Sequence, residues 1–180
     1  MSKKMISLED ATKLVVKKHK GQYRKQGTPY CLHPINVAWI LKDKGFDENY
    51  QIAGLFHDLI EDTDTTYEEI LKLSNEEIAN AVKLVTKEKG YDMKEYIERI
   101  SKNDMARMVK LADRLHNILE TKLADMDFQK KYVKETEDWY LDLAKDTCFE
   151  EELTKEIKSL KKGIAKANKK LDKKLEDKEK

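Results

Sequence analysis

Residues 57–62 read HDLIED: an imidazole, a carboxylate, two apolar residues, then two more carboxylates. The neighbouring Leu55, Phe56, Leu59 and Ile60 form an apolar stripe. A carboxylate buried beside such a stripe is costly unless it has a partner. Read as one helix, His57 shares a face with Glu61, and Asp58 with Asp62, with the two pairs adjacent. His33, just before Pro34, and Asp113, within VKLADRLHN, extend the set; Val109, Leu111, Ala112 and Leu115 around Asp113 suggest burial. Two histidines and two aspartates make a mixed nitrogen and oxygen donor set. Such a set suits Mn²⁺, Fe²⁺ or Zn²⁺ better than Ca²⁺ or Mg²⁺. At this level a second reading stays open: His57 and Asp58 bond each other or cap a helix, and Asp113 pairs with Arg114.

The elements that must position these residues read as helices. Ser7 opens the first with a Ser-x-x-Asp start, and Gly21 marks its end. GQYRKQGTPYCLHP is a connecting segment rich in turn residues. Pro34 begins a second helix over about residues 35–44, stopped by Gly45. A third, from about Tyr50 to Leu59 or a little beyond, carries HDLIED. Thr65 or Thr66 caps the next, and SNEEIANAVKLVT starts another with Ile78, Ala81, Val82 and Val85 at helical spacing. Further helices are expected over 91–101, 105–122, 130–144 and 154–175. No alternating run is long enough for a sheet, so the expected class is all-α.

Composition agrees. The chain has 180 residues, 39% charged and 39% apolar, with only six Gly and two Pro. That suits a helical globular protein and argues against a turn-rich sandwich. A formal net charge of +1 gives no global signal for nucleic acid or membrane. Residues 1–20 lack the apolar core of a signal peptide, and no apolar run reaches about 18 residues; a cytoplasmic protein is expected. Cys31 and Cys148 are then free thiols in packed surroundings. From Glu151 onward eleven lysines face seven acids, with Leu153, Ile157, Leu160 and Ile164 at spacings of four, three and four. The expectation is one domain over 1–150, then a charged amphipathic helix and solvated tail over 151–180. Nucleic-acid binding by this tail is the minor alternative. No feature specifies an oligomeric state.

HPINVAWIL, AGLFHDLIEDTDTTYEEI, LVTK and VKLADRLHN resemble, in that order, motifs of the HD-domain phosphohydrolases. The likeness, over about residues 19–121, is in particular to the hydrolase domain of the RelA/SpoT alarmone enzymes and to the small alarmone hydrolases. HD alone is a weak signal; the ordered set with HDxxED and YRKQGTPYCLHP is specific. The resemblance implies an HD-domain helical bundle. It also implies Mn²⁺-dependent removal of the 3′-pyrophosphate of guanosine tetra- or pentaphosphate, (p)ppGpp, the alarmone of the stringent response. The chain stops before any synthetase domain could begin, so a hydrolase acting alone is expected.

Carried over by position, the resemblance assigns His33, His57, Asp58 and Asp113 to the metal. Glu61 and Asp62 fall to positioning and activating the attacking water. Arg24, Lys25, Lys87, Asn117 and Tyr140 match nucleotide or phosphate contacts. Gln26 stands where serine is common, and Glu120 where a hydroxyl residue is common, which bears on the substrate more than on the reaction. His116 is expected to be a hydrogen-bonded structural residue and His19 no ligand. Arg114 is expected to pair with a metal-site acid, and Trp39 to lie in the core. Competing readings are an HD phosphohydrolase for another nucleotide or NADPH, and a regulatory module that binds a nucleotide without cleaving it. The water-activating acids argue against the latter.

Overall fold

The computed structural model describes residues 5–176, with side chains described to residue 170. Helices α1 (Leu8–Lys18), α2 (Leu32–Asp43), α3 (Glu48–Phe56), α4 (Leu59–Asp62), α5 (Tyr67–Leu73), α6 (Glu76–Val85), α7 (Met93–Ser101), α8 (Asp104–Thr121) and α9 (Met126–Glu135) follow in order. A π-helical turn, Thr136–Tyr140, then leads into α10 (Leu141–Ala144), and α11 spans Glu150–Glu176. The all-α class expected from the sequence is the class observed: among the described residues, the β-type pairing is an isolated bridge between Tyr23 and Pro29.

Local chemistry explains where most helices begin. Ser7 accepts from the Asp10 N–H, Asp47 from Asn49 and Tyr50, Asn75 from Ile78, and Asp92 from Glu95. Thr66 and Glu69 form a reciprocal capping box at α5. Each such cap satisfies N–H groups that the first turn leaves without a helical partner. Gly45 ends α2 at φ +85°, a left-handed conformation that glycine adopts at little cost.

The described chain divides into two compact units, meeting between His116 and Asn117 within α8. In the first, α2 and α3 make the most extensive helix pair, and α3 also packs on α1 and α6. Val15, Val37, Leu41, Ile52, Phe56, Leu59, Ile78 and Val82 are fully buried there. Gly54 makes the close approach possible: a Cβ at this position would lie 2.7 Å from Leu41 Cδ1. In the second unit α11 packs on α9 and α10. Leu153, Ile157 and Leu160 are buried and Ile164 half-buried, as the amphipathic spacing requires. The end of the lysine-rich tail, after residue 176, lies outside the described residues. Among the described residues no helix is long and apolar enough to cross a membrane.

Three expectations need correction. Trp39 is not core; it is 67% exposed, because Val37, Ala38 and Leu41 occupy the inward face of α2 and leave Trp39 on the outer one. Cys148 is exposed rather than packed, although both cysteines are free thiols. HDLIED does not lie on one continuous helix. α3 stops at Phe56, and His57 and Asp58 form a turn before α4. The Gly54 carbonyl, which the Asp58 N–H would reach in a continuing helix, takes the His57 ring instead.

Candidate metal centre and its carboxylates

The break after Phe56 is what orients His57. Its Nδ1 lies 2.7 Å from the Gly54 carbonyl oxygen, which can only accept, so Nδ1 carries a proton. Nε2 then points away from α3. It is buried and makes no hydrogen bond of acceptable geometry. Carboxylate oxygens nonetheless stand near it: Asp58 Oδ2 at 3.1 Å and Asp113 Oδ1 at 3.8 Å. His33, in the first turn of α2, brings its Nε2 to 3.5 Å from Asp58 Oδ2 and 3.1 Å from Asp113 Oδ1. Donor atoms about 2.1 Å from a shared ion stand about 3.0–3.4 Å apart in octahedral to tetrahedral arrangements. Of the four separations here, the two of 3.1 Å fall within that range, and those of 3.5 and 3.8 Å lie above it. One atom each from His33, His57 and Asp58 lies within 4.8 Å of the others. With Asp113 beside them, the donor set and the buried His57 Nε2 facing these carboxylates fit a divalent cation.

Neighbouring side chains aim the donors. His33 Nδ1 is 2.8 Å from His116 Nδ1, so one of the two rings donates and the other accepts. Burial and the nearby His33 push the His116 pKa down to about 4, which keeps that imidazole neutral and able to accept from His33. His116 is thus the hydrogen-bonded residue expected from the sequence, and its partner is His33. Asp113 Oδ2 accepts from Lys110 Nζ at 2.6 Å, leaving Oδ1 to the histidines. Asp113 therefore has Lys110 and His33 as partners, and Arg114 beside it is buried. Second ring nitrogens and second carboxylate oxygens held in this way are the usual means by which proteins orient metal donors.

Charge is concentrated here. Burial opposes ionisation of Asp58 and Asp113, but the histidines and, for Asp113, Lys110 overcome it and hold both below the ordinary carboxylate range. For His57, burial lowers the pKa, yet Asp58 and Asp113 outweigh burial and take it up to about 9. Without a cation, a protonated His57 and Lys110 together offset the two aspartates.

The two remaining acids of HDLIED diverge. Glu61 Oε2 accepts from the Lys87 backbone N–H at 2.8 Å. Partial desolvation of its carboxylate raises its pKa; the Lys87 N–H opposes the rise and Asp58 adds to it. Asp62 Oδ2 lies 2.7 Å from the Tyr30 hydroxyl, which also lies 2.8 Å from Asp58 Oδ2. Burial, Asp58 and Asp62 push the Tyr30 phenol far above its ordinary value, so it stays protonated. Sequence reasoning missed Tyr30 and Lys110. Lys110 had a local signal, as a lysine three residues before Asp113 on one helix; Tyr30, in YCLHP three residues before His33, is turned toward the cluster only by the fold.

Other expected site residues are placed as follows. The Arg24 guanidinium lies 5.8 Å from the Tyr30 ring centroid, and Lys25 is exposed on the same turn. Lys87 follows α6, with Nζ 5.3 Å from the Tyr91 ring and 5.5 Å from the Tyr96 ring. His19 caps the C-terminal end of α1, bonded through Nδ1 to Gln22 Oε1 at 2.7 Å and stacked on Tyr30 at 4.8 Å. Asn117 and Tyr140 belong to the second unit; Asn117 is half-buried on α8, and Tyr140 is fully buried at the end of the π-turn.

A guanosine-3′,5′-bis(diphosphate) 3′-pyrophosphohydrolase from Aquifex aeolicus is 37% identical over 145 residues, 76% of this chain and 21% of that protein. A probable enzyme of the same name from Synechocystis is 39% identical over 137 residues, 70% of this chain and 18% of the relative. The chain thus spans about a fifth of the length of these curated relatives. Among solved structures, a metazoan ortholog of SpoT described as hydrolysing ppGpp superposes with a TM-score of 0.75 at 28% identity, covering 84% of this chain and 94% of that one. The HD domain, as a family, matches residues 11–147, a stretch that holds the whole His-His-Asp cluster together with Asp113. By that match the chain belongs to the HD-domain family.

Proposed function

We propose that this protein hydrolyses the 3′-pyrophosphate of (p)ppGpp, releasing pyrophosphate and leaving GDP or GTP. The names of its relatives and its solved neighbour support that substrate. The observation that carries the chemistry is His57, whose Nδ1 is fixed by Gly54 so that a buried Nε2 faces two aspartates next to Glu61 and Asp62.

His33, His57, Asp58 and Asp113 are the proposed ligands, and Mn²⁺ the proposed ion, with Fe²⁺ or Zn²⁺ compatible with the same donors. A divalent cation bound there supplies Lewis-acid charge, lowering the pKa of a water and offsetting phosphate charge. Glu61, with its raised pKa, and Asp62 accept the proton of the attacking water. The water oxygen bonds to the phosphorus next to the ribose 3′ oxygen; the bond from that phosphorus to the 3′ oxygen breaks, and the 3′ oxygen takes up a proton. Arg24, Lys25 and Lys87 balance the remaining phosphate charge or face the base. Asn117 and Tyr140 are proposed as nucleotide contacts on the resemblance alone. An enzyme of free nucleotides belongs in the cytoplasm, which is the proposed location.

The test is a substrate panel of ppGpp, pppGpp, other nucleotides and NADPH with Mn²⁺, read by released pyrophosphate and phosphate. GDP plus pyrophosphate from ppGpp is expected. Turnover of another member alone would reassign the substrate, and no turnover with any divalent metal would sink the reading. Asp62→Ala should abolish turnover while Mn²⁺ binding and the melting temperature stay near wild type.

A further inference from the structure

Tyr30 stands apart from the residues assigned so far. It comes from the turn before α2, yet its hydroxyl reaches Asp58 Oδ2 at 2.8 Å and Asp62 Oδ2 at 2.7 Å. Asp58 is a proposed metal ligand, and Asp62 is proposed to receive the proton of water. These acids leave opposite ends of α4, one before its first residue and one as its last. Asp62 is exposed, so its carboxylate would otherwise sample several rotamers.

The turn that carries Tyr30 is itself tied down. The Tyr30 N–H donates to the Gln22 carbonyl at 2.9 Å, and Gln22 Nε2 donates to the Asp62 carbonyl at 2.8 Å. The Tyr30 ring stacks on buried His19 and meets His33 edge-on at 6.0 Å. The ring is therefore held on two sides, and its hydroxyl is presented at a fixed point between the two acids.

We infer that Tyr30 is a positioning residue, whose hydroxyl fixes the Asp62 carboxylate beside Asp58 so that the water-activating acid is aligned before substrate binds. This rests on the roles proposed above for Asp58 and Asp62. A phenol has one proton and can donate to one carboxylate at a time. Asp58 is also faced by His33 and His57, whereas Tyr30 is the hydrogen-bonding side chain at the Asp62 carboxylate among the described residues. Loss of the hydroxyl should therefore disturb Asp62 far more than the metal ligands. Misplacing a catalytic group by about 1 Å can cost on the order of 100-fold in rate.

The test is Tyr30→Phe, which keeps the ring and its stacking and removes only the hydroxyl. Three quantities are read: Mn²⁺ affinity of the EDTA-stripped protein by titration calorimetry, kcat and KM for ppGpp, and the Asp62 carboxylate in Mn²⁺-bound crystals of variant and wild type. The expected result is a kcat lower by about 10- to 100-fold, KM and Mn²⁺ affinity each within about threefold of wild type, and an Asp62 carboxylate displaced or no longer ordered. An unchanged kcat, or a loss that saturating Mn²⁺ restores, would overturn the inference. Should wild type not turn over ppGpp, the proposed function fails by itself. The crystals still decide Tyr30, because an Asp62 carboxylate unmoved in the variant refutes its positioning role.

Discussion

At the scale of single residues, the centre is a set of donors each held by something behind it. Gly54 holds His57, His116 holds His33, and Lys110 holds Asp113. His116→Phe removes the acceptor behind His33 and should weaken Mn²⁺ binding by about 10- to 100-fold, the usual cost of losing such a support. Calorimetric titration of EDTA-stripped protein measures this, and an unchanged affinity would show that His33 needs no orienting partner. The charges also dictate a pH dependence. Although burial opposes it, the aspartates raise His57 from 6.5 to about 9. A folded pKa above the unfolded one means that protonated His57 stabilises the cation-free fold fully below about pH 6.5; the contribution is lost as pH rises through about 9. The melting temperature of EDTA-treated protein should therefore fall over that interval. Mn²⁺ affinity should rise over the same interval, because binding must displace the His57 proton. A flat affinity from pH 6.5 to 9 would refute the assignment of His57 as a ligand.

At the scale of elements, the site depends on how closely α2 and α3 approach and on where α3 ends. Gly54 sits at that contact, 2.7 Å from Leu41 Cδ1 and 3.4 Å from Val37 Cγ1 when given a Cβ. Leu41 and Val37 are fully buried and have little room to move. Gly54→Ala should destabilise the fold by about 1–3 kcal/mol, the usual cost of overpacking, as read by urea unfolding. Because the same residue's carbonyl orients His57, Mn²⁺ affinity should fall with it. The helix starts were legible from the sequence, since Ser7, Thr66 and Asn75 are caps whose side chains act within three residues of themselves. The turn at His57 and Asp58 was not legible, because a helical period runs through HDLIED unchanged. The ring-to-carbonyl bond that replaces a helical one leaves no trace in hydrophobic spacing.

At the scale of the whole molecule, helices far apart in the chain converge on one cluster: His33 from α2, His57 and Asp58 from the turn after α3, and Asp113 from α8. Buried Asp113 and half-buried Asp58, held ionised side by side, are a liability that a cation offsets, so metal binding should be coupled to folding. Saturating Mn²⁺ should raise the melting temperature of stripped protein progressively with concentration. At about 100 times Kd the gain is about 2.7 kcal/mol. Asp113→Asn should abolish most of that shift; a shift that persists in full would place the ion elsewhere.

The sequence by itself determined the class of fold and pointed to the candidate donors. Apolar spacing, caps and scarce glycine specify helices, because these act through neighbours a few residues away. The ordered histidines and aspartates specify a family through residue identity. The tertiary structure decided what each donor atom faces. It put Trp39 on the outside of α2, set His33 against His116, and placed the Tyr30 hydroxyl between Asp58 and Asp62. These outcomes depend on side chains meeting across 28 to 83 positions of chain in the cases of Tyr30 with Asp58 and His33 with His116. Local periodicity specifies which face of a helix is apolar. Which partner that face or its polar edge will meet is decided only when the helices pack.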